Sequence, residues 1–270
     1  MIPVAFSYAR PDSLESALAL LAEHGEDATV LAGGHSLLPV MKLRLAAPEV
    51  VIDIGRLPEL RYIRLDGDEV AIGAGTRHRD LEASDVLGAE APLLAAVART
   101  VGDPQVRHRG TIGGSLAHAD PASDLPAAVL TLGGTVVLRG PRGERQVPAT
   151  GFYTGMFSTV KEPDELIVEI RVPRTGSSGW AYEKFTRRAN DWAIVGVAVV
   201  DGRVGLVNMG ASPLRASTTE AALADGASIE EAAALADQGT DPTSDLAATA
   251  EYRRHLARVL TRRALTTAAG

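Results

Sequence analysis

Val30-Leu31-Ala32-Gly33-Gly34-His35-Ser36-Leu37 is the stretch that decides the fold. Residues 28–31 are short and apolar, as a buried strand is, and they run straight into a glycine pair. Ser36 then stands where a residue caps a short helix continuing to 43. A second pair, Thr111-Ile112-Gly113-Gly114-Ser115, lies about 77 residues downstream and again reads as a sharp turn. Glycine admits positive φ and lets backbone approach a ligand closely, and consecutive exposed amides bind an anionic group such as a diphosphate. One Gly-Gly pair alone is weak evidence, and a plain tight turn is the commoner reading. Two, far apart, predict one large phosphorylated ligand clasped between two lobes, each loop forming half of the cradle.

The flanking sequence alternates helices and strands. Asp12-Ser13-Leu14-Glu15 has the form of a capping box, and Leu14, Ala17, Leu18 and Leu21 follow at helical spacing until Gly25. A strand is expected over 50–54, and a hairpin pairs 62–65 with 70–72 around Asp66-Gly67-Asp68. Helices over 76–81 and 92–100 precede an irregular stretch, 102–119, long enough to imply function, and a helix beginning near Pro121. A second hairpin joins 135–138 to 144–147, and 165–172 supplies a further strand. Residues 173–179, rich in Gly and Ser, read as a linker. Beyond it, 181–185, 193–200 and 204–209 form a meander turning at Asp201-Gly202. Helices centred on Glu220, Ala233 and Arg258 complete an α+β unit.

Composition narrows the function. The 270 residues are 46% hydrophobic, enough to fill a real core, and the formal net charge of −7 disfavours tracking a nucleic-acid backbone. No cysteine is present, so the chain holds no disulfide, thiol nucleophile or thiolate-bound iron-sulfur cluster. Neither a basic-then-apolar leader nor a run of about 20 apolar residues is seen, which gives the expectation of a cytoplasmic protein without a transmembrane segment. The spaced three-glycine dinucleotide fingerprint is missing near the N-terminus.

Three segments, Val30 through Leu37, Asp103-Pro104-Gln105-Val106-Arg107-His108-Arg109-Gly110 continuing through Ser115, and Ala119-Asp120-Pro121-Ala122-Ser123-Asp124-Leu125-Pro126, together resemble the FAD-binding medium subunit of carbon monoxide dehydrogenase and related xanthine dehydrogenase-like molybdenum hydroxylases. Tyr182-Glu183-Lys184-Phe185-Thr186-Arg187-Arg188-Ala189-Asn190-Asp191-Trp192-Ala193 is similar to the start of that family's C-terminal flavoprotein domain. The resemblance implies an α+β fold: a two-lobed FAD-binding domain of the p-cresol methylhydroxylase type over 1–175, with lobes of about 1–55 and 56–175. A smaller α+β flavoprotein domain over 176–270 follows.

It also implies roles for particular residues. Leu31, Ala32, Gly33, Gly34, His35, Ser36 and Leu37, with Thr111, Ile112, Gly113, Gly114 and Ser115, would lie against the FAD diphosphate and its sugar or ribityl portions. They would supply amides and the hydroxyls of Ser36, Thr111 and Ser115. Asp124 would accept a hydrogen bond from a ribose hydroxyl, although a carboxylate in a first helical turn also serves the helix dipole. Lys184 would approach the flavin or a phosphate, or remain a solvated strand lysine. Ile167, or its neighbour Leu166, would pack on the isoalloxazine or simply fill the core. Trp192, beside Asp191, would shield a flavin face or sit half-buried at a strand start. His35 matches a noncovalent family, and His108 and His118 form no compact metal motif. For Arg107 and Arg109, the diphosphate, a partner surface and solvent all stay open.

The implied function is an electron-transfer subunit of an oxidoreductase. Noncovalent FAD takes electrons from iron-sulfur clusters in a small two-iron subunit and passes them to an external acceptor. Substrate is oxidised at a molybdenum-pterin centre in a large subunit, the whole forming a dimer of heterotrimers. A self-contained flavin oxidase or dehydrogenase, and a non-enzymatic nucleotide-binding assembly module, are the alternatives.

Overall fold

A computed structural model describes residues 2–270. The chain begins with β1 (Ser7–Ala9), α1 (Leu14–His24), β2 (Ala28–Leu31), α2 (Leu37–Lys42) and β3 (Val50–Asp53). The three strands form a parallel sheet in the order β1-β3-β2. Leu14, Ala17 and Leu21 of α1 are buried in one cluster with Val50 and Ile52 of β3. The capping box is real but shifted by one residue. Ser13 Oγ accepts from the Ser16 amide at 3.1 Å and the Ser16 hydroxyl faces the Ser13 amide at 3.2 Å. Asp12 instead accepts from the Ser16 hydroxyl. Such a cap contributes about 1 kcal/mol.

A second lobe follows, built on β4 (Ile63–Asp66), β5 (Glu69–Gly73), α3 (His78–Glu82), α4 (Asp85–Glu90), α5 (Pro92–Arg99), α6 (Pro104–Arg109), α7 (Ile112–His118) and α8 (Asp124–Leu132). It ends with β6 (Thr135–Gly140), β7 (Gly143–Pro148), the short pair β8 (Tyr153–Gly155) and β9 (Ser158–Thr159), and β10 (Leu166–Pro173). The long strands make an antiparallel sheet, β4-β5-β10-β6-β7, whose β6–β10 register shifts between Ile167 and Glu169. The stretch expected to be irregular is two short helices. Asp103 caps α6 through the Val106 amide at 2.9 Å with Pro104 in its first turn, and Thr111 caps α7 through the Gly114 amide at 3.1 Å.

The third unit comprises β11 (Trp180–Phe185), β12 (Val195–Val200), β13 (Arg203–Val207), β14 (Leu214–Arg215), α9 (Ser217–Ala224), α10 (Ile229–Ala233) and α11 (Ala250–Ala269). Its strands pair in sequence order, and α11 lies against β11 and β12. Ala198 and Val200 share an apolar cluster with Leu94 of α5 and Leu125 and Ala128 of α8, so this unit is packed onto the second lobe. The expected linker is tied down rather than free. Arg174 pairs with Glu90 through two hydrogen bonds, and the Thr175 amide donates to the Glu90 carbonyl at 2.6 Å. Among the described residues no helix is long and apolar enough to cross a membrane.

Candidate functional site

The three units surround a cavity of about 540 Å³, within the range of small-molecule sites. β2 delivers the first glycine loop to its wall. Gly34 has φ +80°, a conformation that L side chains rarely adopt. Gly33 is required for a different reason: a Cβ there would meet the Arg109 carbonyl oxygen and lie 2.8 Å from Gly110 Cα, so this loop touches the turn before α7. The Gly34 carbonyl accepts from the Leu38 amide at 3.1 Å. The amides of Gly33, Gly34, His35, Ser36 and Leu37, by contrast, donate to no acceptor among the described residues. Ser36 was expected to cap α2, but its backbone is itself helical (φ −98°, ψ −52°) and its side chain makes no cap bond. The hydroxyl is therefore uncommitted at the cavity wall.

The second glycine pair is not the mirror image of the first. Neither Gly113 nor Gly114 has positive φ, and both lie inside α7. Four of the five amides expected to face an anion are already occupied, and that of Thr111 donates to no acceptor among the described residues. Ile112 donates to the Thr76 carbonyl at 3.0 Å, Gly113 to the Ala74 carbonyl at 2.9 Å, and Gly114 to Thr111 Oγ1. Gly113 permits α7 to lie on the residue that follows β5, because a Cβ there would come within 2.6 Å of Ala74 Cβ. What this segment offers the cavity is a close-packed wall, the Ser115 hydroxyl and the Thr111 amide.

Of the residues expected at the site, all but Leu31 and Ile112 line the cavity. Leu31 is the last residue of β2, and Ile112 is fully buried in the core cluster beneath α7. Asp124 and Lys184 are joined in a buried ion pair at 2.7 Å. Lys184 also donates to the Thr100 carbonyl at 3.0 Å, and Tyr182 Oη donates to the other Asp124 oxygen at 2.5 Å. The solvated-lysine reading is thereby corrected, and both Asp124 oxygens already accept from side chains of this chain. Burial lifts the Asp124 carboxyl above the usual carboxylate range, with Lys184 and Tyr182 drawing it back. Burial and the neighbouring carboxylate raise the Tyr182 hydroxyl well above its ordinary value.

Ile167 and Leu166 both reach the cavity from the start of β10 while remaining buried. Trp192 is not half-buried: it is 59% exposed, precedes β12, and lines the cavity with Asn190 and Asp191. Arg107 is tied to Glu82 at 2.8 Å and to the carbonyls of Val101 and Gly102, and it does not line the cavity. Arg109 is not on the cavity wall. His35 and His118 line it, His118 with its ring 5.1 Å from that of Phe157, whereas His108 faces Arg79.

Two cavity residues escaped the sequence reading. His78 opens α3 and is 3% exposed, and burial, aided by His35 and Arg107, pushes its pKa down to about 4. Lys161 is held by the carbonyls of Glu162 and Glu165 at 2.8 and 3.2 Å, and burial lowers its pKa. Neither sits in a glycine motif, so no local pattern marks it.

Residues 4–175 match the family described as the FAD binding domain in molybdopterin dehydrogenase, and residues 180–268 match the CO dehydrogenase flavoprotein C-terminal domain. This chain belongs to that family of FAD-binding medium subunits of molybdenum hydroxylases. The carbon monoxide dehydrogenase medium chain of Hydrogenophaga pseudoflava is 46% identical over 99% of this chain and 98% of its own. Subunit alpha of the 6-hydroxypseudooxynicotine dehydrogenase complex of Paenarthrobacter nicotinovorans is 38% identical over 98% of this chain and 95% of its own. A chain in a solved structure of carbon monoxide dehydrogenase from Hydrogenophaga pseudoflava, lacking the Mo-pyranopterin moiety, superposes with a TM-score of 0.95 at 47% identity, covering 100% of this chain and 99% of that one. The relatives are dehydrogenase subunits, and this chain is an oxidoreductase subunit of the same kind.

Proposed function

We propose that this chain holds FAD noncovalently and transfers electrons from iron-sulfur clusters of a partner to an external acceptor, within a molybdenum hydroxylase complex. The supporting observation is the row of five uncommitted amides at 33–37 on a cavity where Asp124 and Lys184 are already paired with one another. Oriented amides stabilise a diphosphate without a lysine or arginine. The uncommitted hydroxyl of Ser36 and the hydroxyl of Ser115 add donors beside them, and Leu166 and Ile167 give an apolar wall for a planar ring. Bound FAD supplies the redox chemistry; the protein binds it, orients it and controls access to it.

The proposed division assigns residues 1–175 to the FAD-binding domain, with lobes of about 1–55 and 56–175, and 176–270 to the C-terminal domain. The proposed partners are a large molybdenum-pterin subunit and a small two-iron subunit, in a dimer of heterotrimers. Relatives named for carbon monoxide and for 6-hydroxypseudooxynicotine share this architecture, which supports placing substrate choice in another subunit.

Purification of the native complex tests the proposal. The expected result is one flavin per copy of this chain, with molybdenum and iron in co-purifying subunits. The isolated chain, loaded with FAD, should oxidise no organic substrate at the rate of the complex. Full activity without partners would overturn the electron-transfer role.

A further inference from the structure

His78 is a buried titratable group with no part in the diphosphate cradle described above. Its amide donates to the Gly110 carbonyl at 3.0 Å, and Arg77 bridges Thr111, so the start of α3 is fixed beside the start of α7. Gly110 lets the ring lie there, because a Cβ at 110 would come within 2.7 Å of the His78 ring. From this seat Nε2 lies 3.3 Å from Ser115 Oγ, while Nδ1 is buried with no partner. Ser115 Oγ has no other hydrogen-bond partner among the described residues, and it faces the cavity.

The two ring nitrogens therefore sit in unequal surroundings. A buried N–H without an acceptor is rarer in proteins than a buried lone pair without a donor. Nδ1 is accordingly the unprotonated nitrogen and Nε2 carries the hydrogen, in a ring that burial keeps neutral at physiological pH. An Nε2–H faces a hydroxyl oxygen as donor, and that oxygen then has its own proton to direct elsewhere.

We infer that His78 is a positioning residue: it donates to Ser115 Oγ and thereby turns the Ser115 hydroxyl proton into the cavity, as a dedicated donor to an anionic ligand. The inference rests on the reading that the FAD diphosphate lies in this cavity. It explains how the α7 side serves the ligand although the amides of residues 112–115 are taken.

The test uses the purified complex, stripped of flavin and titrated with FAD and with ADP. Ser115→Ala weakens both about tenfold, the worth of one hydrogen bond to a charged group. His78→Met and His78→Asn do the same, because neither places a donor at the Nε2 position, whereas His78→Gln stays within about threefold of wild type. In the Ser115→Ala background, His78→Met produces no further loss beyond about twofold. A structural role for His78 predicts the opposite: the His78→Met loss persists in that background and glutamine does not rescue. Either result overturns the inference. Should His78→Met not fold, the contrast between His78→Asn and His78→Gln decides in the same way. Failure of the wild-type complex to bind either FAD or ADP in this cavity would instead overturn the underlying site.

Discussion

Replacing Gly33 by alanine separates the first loop from the turn it rests on. The substitution carries no conformational penalty, since Gly33 does not have positive φ. Its new Cβ would meet the Arg109 carbonyl oxygen and lie 2.8 Å from Gly110 Cα, and both neighbours are backbone. Restoring an ordinary contact of 3.4 Å with that oxygen requires the loop to withdraw by about 1 Å, which overpacking data put at about 1–3 kcal/mol of stability. The same movement pulls the 33–37 amides off their common target. Loss of two hydrogen bonds to a charged diphosphate, at about 1.5 kcal/mol each, weakens FAD about 100-fold. Fluorescence titration of the stripped complex measures the affinity, and the flavin-to-protein ratio of the purified complex provides a second readout. Gly88→Ala is the control: nothing lies within 4 Å of a Cβ there and it sits in α4, so it stabilises slightly and leaves FAD unchanged. Gly33→Ala folding normally and binding FAD within about threefold of wild type would refute the cradle as drawn.

Three other outcomes are expected. The His78 pKa falls from 6.5 unfolded to about 4 folded, so between those values the unfolded chain binds a proton that the folded chain does not. Stability is therefore complete above pH 6.5 and declines by about 3 kcal/mol on acidification to pH 4, and His78→Gln flattens that part of a urea-midpoint profile. Lys184→Met strands a buried carboxylate and lowers stability by about 3–5 kcal/mol, while pairing it with Asp124→Asn recovers most of the loss in chemical denaturation; a double variant no more stable than the single one would contradict the ion-pair account. Gly113→Ala drives a methyl into Ala74 and lowers the melting temperature by the equivalent of about 1–3 kcal/mol.

Much of the fold was legible because it is local. The α1 periodicity, the β2 strand entering Gly33, the turns at Gly67 and Gly202 and the meander after residue 180 each carry their signal within a dozen residues. The failures share a cause as well. Gly113 and Gly114 looked like a turn, yet they are helical residues, and the small size of Gly113 answers to Ala74, a neighbour far away in sequence. The Ser13 cap displaced Asp12 by a choice between adjacent oxygens that the pattern alone leaves open. Lys184 and Asp124 were read as separate candidates, and only the packing of the C-terminal sheet on α8 makes them one pair. His78 gave no signal because its surroundings come from Gly110 and Ser115, contributed by another part of the chain.

The pair between Asp124 and Lys184 also bears on how the molecule comes apart. Asp124 lies in the segment matching the FAD-binding domain and Lys184 in the segment matching the C-terminal domain, and Ala198 and Val200 complete an apolar cluster begun by α5 and α8. Cutting the chain near 176 would leave an unpaired buried acid on one fragment and a bare apolar face on the other. The two segments therefore melt as one cooperative unit, and a single calorimetric transition, moved upward by FAD, is the signature of that coupling.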